Sequence, residues 1–226
     1  MSAIDFPGKI STVVFLGGCN FRCPFCQNPD LVLSPGTMPA LGEDDILVGI
    51  TRKKGFIDGV VVTGGEPLIN GEPLLMFLKR LKDTGVAVKL DTNGYEVEVL
   101  DEVFRRGLVD YVAMDVKTSL PKYGAAVAMP MLDTDRIVAA IALIGRSGFP
   151  HEFRTTCVPG LVEEEDMAAI ARMLGPAEDY YLQQFRPGPD VIDPAYSVVS
   201  PYPPALLNAF ADVARPHVRS VTIRGV

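Results

Sequence analysis

Short β-branched runs and amphipathic stretches take turns along nearly the whole chain, and few folds accommodate that order. Strands that alternate with helices pair in parallel, so the pattern is that of repeated βα units. The strand candidates are STVVFL (11–16), GVVVT (59–63), VAVKLD (86–91), DYVAMDV (110–116), EFRTTCV (152–158) and DYYLQQF (179–185), with VRSVTIRG (218–225) as a last strand. Between them, the stretches 44–55, 71–83, 96–106, 134–146, 163–173 and 203–214 carry apolar residues at helical spacing, as in EPLLMFLKRLK and DRIVAAIALIG. At 226 residues the chain can bury a sizeable core, and one α/β domain spanning 1–226 is expected, as a barrel or an open sheet. No internal repeat, low-complexity tract or interdomain linker divides it. The proline-rich stretch 186–204 is expected to be a long loop that covers something.

In parallel βα folds the chemistry gathers in the loops that follow the C-terminal ends of the strands. Five unusual segments fall there. GGCNFRCPFCQNPD (17–30) follows the first strand, TGGEP (63–67) the second and DTNG (91–94) the third; MDVKT (114–118) ends the fourth and VPG (158–160) the fifth. All five are expected on one rim.

Three of the four cysteines, Cys19, Cys23 and Cys26, stand in the first of these loops. Clustered cysteines with one isolated partner fit a metal or cluster site in a reducing compartment better than a disulfide framework. Three thiolates at these spacings can hold three irons of a cubane and leave the fourth iron open. A structural zinc site or a chance group of buried thiols are the alternatives. Zinc of that kind is four-coordinate, and the only two histidines, His151 and His217, are distant in sequence and not paired as in a finger. Cys157 reads as a packed strand thiol.

A formal charge of −7 argues against a nucleic-acid substrate, which requires a concentrated basic face. The dense basic run TRKK (51–54) fits the solvated end of a helix. No run of 18 apolar residues occurs and MSAIDFPGKIS lacks a charged-then-apolar leader profile, so a soluble, cytoplasmic protein without a membrane partner is expected.

The spacing C-x3-C-x2-C in CNFRCPFC, with an aromatic before the last cysteine, resembles the signature of the radical S-adenosylmethionine enzymes. With GGEP, DTNG, MDVK and RTTCVPG following in order, the resemblance covers residues 1 to about 185. It is greatest toward the activating enzymes of glycyl-radical proteins. IDFPGKISTVVFLGGCNFRCPFCQNPDL together with YYLQQFRPG (180–188) is particularly similar to the anaerobic ribonucleoside-triphosphate reductase activating proteins, although Gln27 stands where many activators have histidine. The resemblance implies a partial (β/α)6 TIM-type barrel over about 10–185, followed by a loop, a helix and a strand over 186–226.

It also implies that Cys19, Cys23 and Cys26 ligate a 4Fe-4S cluster whose open iron chelates S-adenosylmethionine. Phe25 would lie near the adenine, or else simply pack. Gly64, Gly65 and Glu66 would hold the methionine amino group, the glycines letting the backbone approach a ligand closely; taken alone the segment is also an ordinary strand-to-helix turn. Asp91, Thr92 and Asp115, with the main-chain carbonyl of Ala113, would ligate a monovalent cation, and Lys117 would meet the methionine carboxylate. DTNG is equally suited to an Asx-type turn. Arg154 would bind a carboxylate or stabilise the barrel interior, and Gln183, Gln184 and Arg186 end the sixth strand beside adenosine or substrate.

The function implied is reductive cleavage of S-adenosylmethionine to a 5'-deoxyadenosyl radical. That radical would abstract hydrogen from a glycine of a partner enzyme, with an anaerobic ribonucleotide reductase as the expected partner and a reduced flavodoxin- or ferredoxin-type protein as electron donor. No cysteine-rich extension for auxiliary clusters follows the core, and a six-stranded barrel leaves a lateral gap able to admit a loop of another protein. A minimal radical enzyme acting on a small metabolite is the alternative, and a non-catalytic iron-sulfur carrier or sensor is the alternative of another class. The latter would not need GGEP, DTNG and MDVK on the same rim.

Overall fold

The computed structural model describes all of residues 1–226. Seven parallel strands form one sheet in sequence order: β1 Ser11–Leu16, β2 Gly59–Gly64, β3 Ala87–Thr92, β4 Tyr111–Asp115, β5 His151–Cys157, β6 Asp179–Gln184 and β7 Ser220–Arg224. The first six are the expected series. The seventh, read from VRSVTIRG, pairs with β6 in parallel and lengthens the sheet beyond six. β1 and β7 are the two edges and do not pair, so the sheet stays open.

The helices are α1 Pro29–Leu33, α2 Glu43–Arg52, α3 Gly71–Asp83, α4 Val97–Arg105, α5 Leu120–Ala126, α6 Thr134–Arg146, α7 Glu164–Leu174 and α8 Pro204–Ala214. α3 shows why they form. Leu74, Leu75, Phe77, Leu78 and Leu81 recur at three- and four-residue intervals and are buried, whereas Met76, Lys79 and Arg80 stay in solvent. Each such side chain contributes about 1.5–3 kcal/mol on burial. The interior strand β2 runs Val60, Val61 and Val62, all essentially inaccessible, as a parallel strand covered on both faces requires.

Two short helices, α1 and α5, have no counterpart in the sequence reading. Neither is long enough to show a helical period, and α5 is held by side chains instead: Asp166 at the start of α7 receives Lys122 Nζ at 2.6 Å and also Ser119 Oγ.

The strand register sets the rim. Leu16 pairs with Gly64, Thr92 with Met114, Asp115 with Arg154 and Cys157 with Gln184, so the C-terminal ends of β1 to β6 finish side by side. No helix is long and apolar enough to cross a membrane.

Candidate active site

The rim surrounds a cleft of about 340 Å³ lined by Cys19, Cys23, Cys26 and Phe25 from the loop after β1. Gly64, Gly65 and Glu66 enter from β2, Asp91 and Thr92 from β3, Asp115 and Lys117 from β4, and Arg154 from β5. Every residue expected at the site from sequence is there, Ala113 apart, which is buried within β4 one residue below Met114. Gln183, Gln184 and Arg186 line the β6 side. Cys157 is not part of it; it is buried in the core, and burial pushes its thiol up to about 12.

The cysteine loop is fixed by its neighbours. Phe21 is buried against Tyr95 and Tyr123, with ring centroids 5.5 and 6.4 Å away. Cys19 Sγ accepts from the Phe21 N–H at 3.3 Å. Cys23 is buried, which raises its thiol to about 12, with Lys117 opposing and the Cys26 and Cys19 sulfurs adding to the rise. Burial also raises Cys19. Coordination removes such protons, because a metal-bound thiol is deprotonated outright. No group of three His, Cys, Asp or Glu side chains converges as ligands of a single ion do. A mononuclear zinc needs its sulfurs about 2.3 Å from one point, whereas a cubane takes each thiolate at a different corner. Three free thiols on one loop, all lining one cleft, are a donor set that a cluster can take.

The glycines of TGGEP serve a purpose the sequence did not reveal. A Cβ on Gly64, whose φ is +132°, would lie 2.2 Å from the Leu16 carbonyl oxygen, and one on Gly65 would lie 1.9 Å from that of Gly18. They let the end of β2 lie against the backbone that launches the cysteine loop, locked by Gly65 N–H to Leu16 O at 2.9 Å and Glu66 N–H to Gly18 O at 2.8 Å. Glu66, 1% exposed, is a cross-link. It accepts from Leu68 N–H at 3.0 Å, the Thr92 hydroxyl at 2.7 Å and Asn93 N–H at 2.6 Å. Burial raises its carboxyl to about 7 against those hydrogen bonds.

Below the cleft lies a chain of charges. Arg154 donates from Nε to Asp115 at 2.8 Å and from Nη1 to Asp91 at 3.0 Å. Lys117 Nζ donates to Asp115 at 3.1 Å and Lys89 pairs with Asp91. Glu152, 1% exposed, receives Arg224 of β7 through two bonds of 3.0 and 2.8 Å, and Arg224 lies over the Tyr181 ring at 3.7 Å. Burial works against the charge on Asp115, but Arg154 and then Lys117 outweigh it and hold the carboxyl below the usual range. Burial likewise opposes the charge on Lys117, and Asp115 reverses the effect and raises it.

These ion pairs do not fit a monovalent metal ion at Asp91, Thr92 and Asp115. Both carboxylates already accept from cationic side chains, and the Thr92 hydroxyl is taken up by Glu66 and the Gly94 N–H.

The sequence reading missed Asn93, Lys89 and Glu152. Asn93 Nδ2 donates to Asn20 Oδ1 at 2.8 Å, joining DTNG to the cysteine loop. Lys89 and Glu152 stand two residues before Asp91 and Arg154 on their strands, and the period of two was the available signal. The stretch 186–204 also covers something definite: Ile192 N–H donates to Cys26 O at 3.2 Å, Asp193 N–H to Pro24 O at 2.9 Å, and Gln27 Nε2 to Arg186 O at 2.6 Å.

An open parallel α/β sheet bearing a three-cysteine loop and a charged cleft on its C-terminal rim defines a class of cluster-dependent enzymes. Residues 13–174 match the family described as the radical SAM superfamily. The chain belongs to that superfamily, whose cofactors are a 4Fe-4S cluster and S-adenosylmethionine. It is 33% identical, over all of its length and 93% of the relative's, to a Methanocaldococcus jannaschii protein provisionally named a glycyl-radical enzyme activating enzyme. It is 36% identical to the pyruvate formate-lyase-activating enzyme of Clostridium pasteurianum over 52% of this chain and 49% of that one. In fold it is similar to Streptococcus suis SuiB bound to S-adenosylmethionine, with a TM-score of 0.71 and 13% identity over 96% of this chain and 50% of that chain.

Proposed function

We propose that the protein is a glycyl-radical activating enzyme. The observation that carries this reading is that Cys19, Cys23 and Cys26 share one cleft with Lys117 and Arg154, in a chain similar from end to end to the M. jannaschii protein. The three thiols would hold the cluster, and the rest of the cleft would take S-adenosylmethionine. Bound and reduced, the cluster would supply the one electron that cleaves S-adenosylmethionine to methionine and a 5'-deoxyadenosyl radical, and that radical would take a hydrogen atom from the α-carbon of a partner's glycine.

The chain's own residues bind and orient. Lys117, held charged by Asp115, offers an ammonium to the methionine carboxylate. Phe25 is buried beside the last cysteine and meets Tyr196 at 6.3 Å between ring centroids, giving an apolar wall for the adenine. Glu66 keeps the second strand against the cysteine loop. No protein acid or base is needed for hydrogen-atom transfer. The unpaired edges β1 and β7 leave the sheet open to a loop of the partner, for which an anaerobic ribonucleotide reductase is the first candidate; a flavodoxin- or ferredoxin-type protein supplies the electron, and the activity belongs to the cytoplasm.

The test is anaerobic reconstitution with iron and sulfide, then reduction with dithionite in the presence of S-adenosylmethionine and the candidate reductase. Formation of 5'-deoxyadenosine together with a glycine-centred doublet in the paramagnetic resonance spectrum of the partner is expected. Formation of 5'-deoxyadenosine with no radical on any glycyl-radical enzyme of the host would overturn the activating role and leave a radical enzyme with a small substrate.

A further inference from the structure

The reading of the site given above, on which this inference rests, leaves the place of the expected metal cation to be explained. We propose that Arg154 is the resident cation of the cleft: its guanidinium, bridging Asp91 and Asp115, takes the seat of a monovalent metal ion and makes cofactor binding independent of sodium and potassium.

The argument begins with the oxygens. Asp91 gives one carboxylate oxygen to Lys89 and the other to Arg154 Nη1; Asp115 gives one to Arg154 Nε and the other to Lys117. All four oxygens thus already face a cationic donor. A hard alkali cation binds through such oxygens, and to enter it would have to share each of them with a cationic side chain already bonded there. The planar guanidinium suits this position because its donors diverge in a fixed fork, so that Nε and Nη1 reach carboxylates on two different strands. The registers place Asp115 opposite Arg154 and put Asp91 in the row of Ala113 and Glu152, two residues lower, so the guanidinium reaches back along the sheet to bridge the two carboxylates.

Charge points the same way. Lys89, Lys117, Arg154 and Arg224 face Asp91, Asp115 and Glu152, four cations against three anions in one connected array. A further metal cation at Asp91 and Asp115 would enter among these four cationic side chains. Arg154 Nη2 makes no hydrogen bond within the chain and is not sealed off from the cleft that the residue lines. The two N–H groups of Nη2 therefore remain for an anionic group of the ligand.

The test uses the reconstituted holoprotein in a buffer whose only cation is choline, with sodium, potassium or thallium(I) added at constant ionic strength. S-adenosylmethionine is titrated and followed by the change in the spectrum of the reduced cluster, and thallium binding is followed separately by thallium-205 resonance without S-adenosylmethionine. The wild-type dissociation constant is expected to change less than twofold among choline, sodium and potassium, with no saturable thallium site. In Arg154→Ala, checked for iron content and circular dichroism, Asp91 and Asp115 lose their shared partner, and a saturable thallium site is expected. Arg154→Lys, which keeps a charge there, is expected to bind no thallium.

A tenfold tightening of wild-type binding by potassium or sodium, or one thallium per wild-type chain, would overturn the proposal. So would a folded Arg154→Ala that gains no thallium site. Should that variant not fold, the wild-type and Arg154→Lys results decide the matter. A holoprotein that ignores S-adenosylmethionine in every buffer would defeat the proposed function instead, while the thallium measurement would still test Arg154.

Discussion

A β-carbon on Gly65 would stand 1.9 Å from the carbonyl oxygen of Gly18, so the second strand reaches the cysteine loop at a distance that only glycine permits. The contact is backbone against backbone, which a rotamer change cannot relieve. Gly65→Ala should push Glu66 N–H off Gly18 O and displace the loop at the residue immediately before Cys19. We expect about 1–3 kcal/mol of destabilisation in the metal-free chain and at least a halving of iron bound after reconstitution. Iron assay and chemical denaturation under nitrogen measure both, and a variant with wild-type iron content would refute the contact's role.

The cleft separates the four cysteines where burial does not: Cys19, Cys23 and Cys26 line it, and Cys157, as buried as Cys23, lies outside it. Replacing Cys19, Cys23 or Cys26 by alanine should leave no stable cluster, whereas Cys157→Ala should keep about four irons per chain. Cys157 is fully buried among core side chains, so its loss should appear as about 1 kcal/mol of stability. Iron content and the absorbance of the cluster distinguish the two groups. Retention of a full cluster by any one of the three loop variants would remove that residue from the ligand set.

Much of this site was legible in the sequence because its parts sit at fixed places on a regular frame. Once Val60 to Val62 and its counterparts are read as parallel strands, the ends of those strands must share a rim, which places the segments holding Asp91, Asp115 and Lys117; their roles, and the choice of Arg154 within β5, came from the resemblance. The bonding among them was not legible. The cation ligands expected from the resemblance turn out to be occupied by Arg154, Lys89 and Lys117, because which of several convergent charges pair depends on side-chain geometry across strands. The glycines of TGGEP were expected to face a ligand; the register with Leu16 shows them facing the first strand as well. The two short helices escaped because a segment of fewer than eight residues, such as Leu120–Ala126, shows no period.

Lys117 can be removed without stripping Asp115 of its counter-charge, since Arg154 Nε stays at 2.8 Å. Lys117→Met should therefore fold and assemble its cluster. It should bind S-adenosylmethionine about 10- to 100-fold more weakly, the loss of a hydrogen bond to a charged group costing about 1.5–3 kcal/mol. Equilibrium titration of the reduced holoprotein gives the constant. Unchanged affinity with unchanged cluster content would exclude Lys117 from contact with the cofactor.

Glu66 predicts a pH dependence with a definite sign. Its carboxyl is raised to about 7 in the folded chain by burial, and in the unfolded chain it titrates near 4.3 or so, about the usual glutamate value. Between those values the folded chain keeps a proton that the unfolded chain has released. The resulting stabilisation is fully present below the unfolded value and disappears as pH rises through about 7, a loss on the order of 3 kcal/mol. Glu66→Gln, neutral throughout, should lack this component. Denaturation midpoints of the metal-free wild type and variant, compared between pH 5 and pH 8 under nitrogen, should diverge; parallel profiles would place the Glu66 carboxyl near its unfolded value.

The loop 186–204 closes over the cysteine loop through main-chain bonds from Ile192 and Asp193 and through Tyr196 against Phe25. Its hold is modest. Two backbone bonds, the Gln27 bond and one aromatic pair amount to about 2–6 kcal/mol together, and local openings toward the lower end of that range are populated often enough to admit small molecules. An exposed iron-sulfur cluster is destroyed by oxygen at a rate set by such access. Tyr196→Ala combined with Gln27→Ala removes the aromatic contact and the bond from Gln27 Nε2 to Arg186 O while leaving every cysteine in place. The double variant should assemble a full cluster anaerobically and then lose its absorbance in air several-fold faster than the wild type. Equal rates would show that oxygen reaches the cluster by another face of the open sheet, past the unpaired edge of β1.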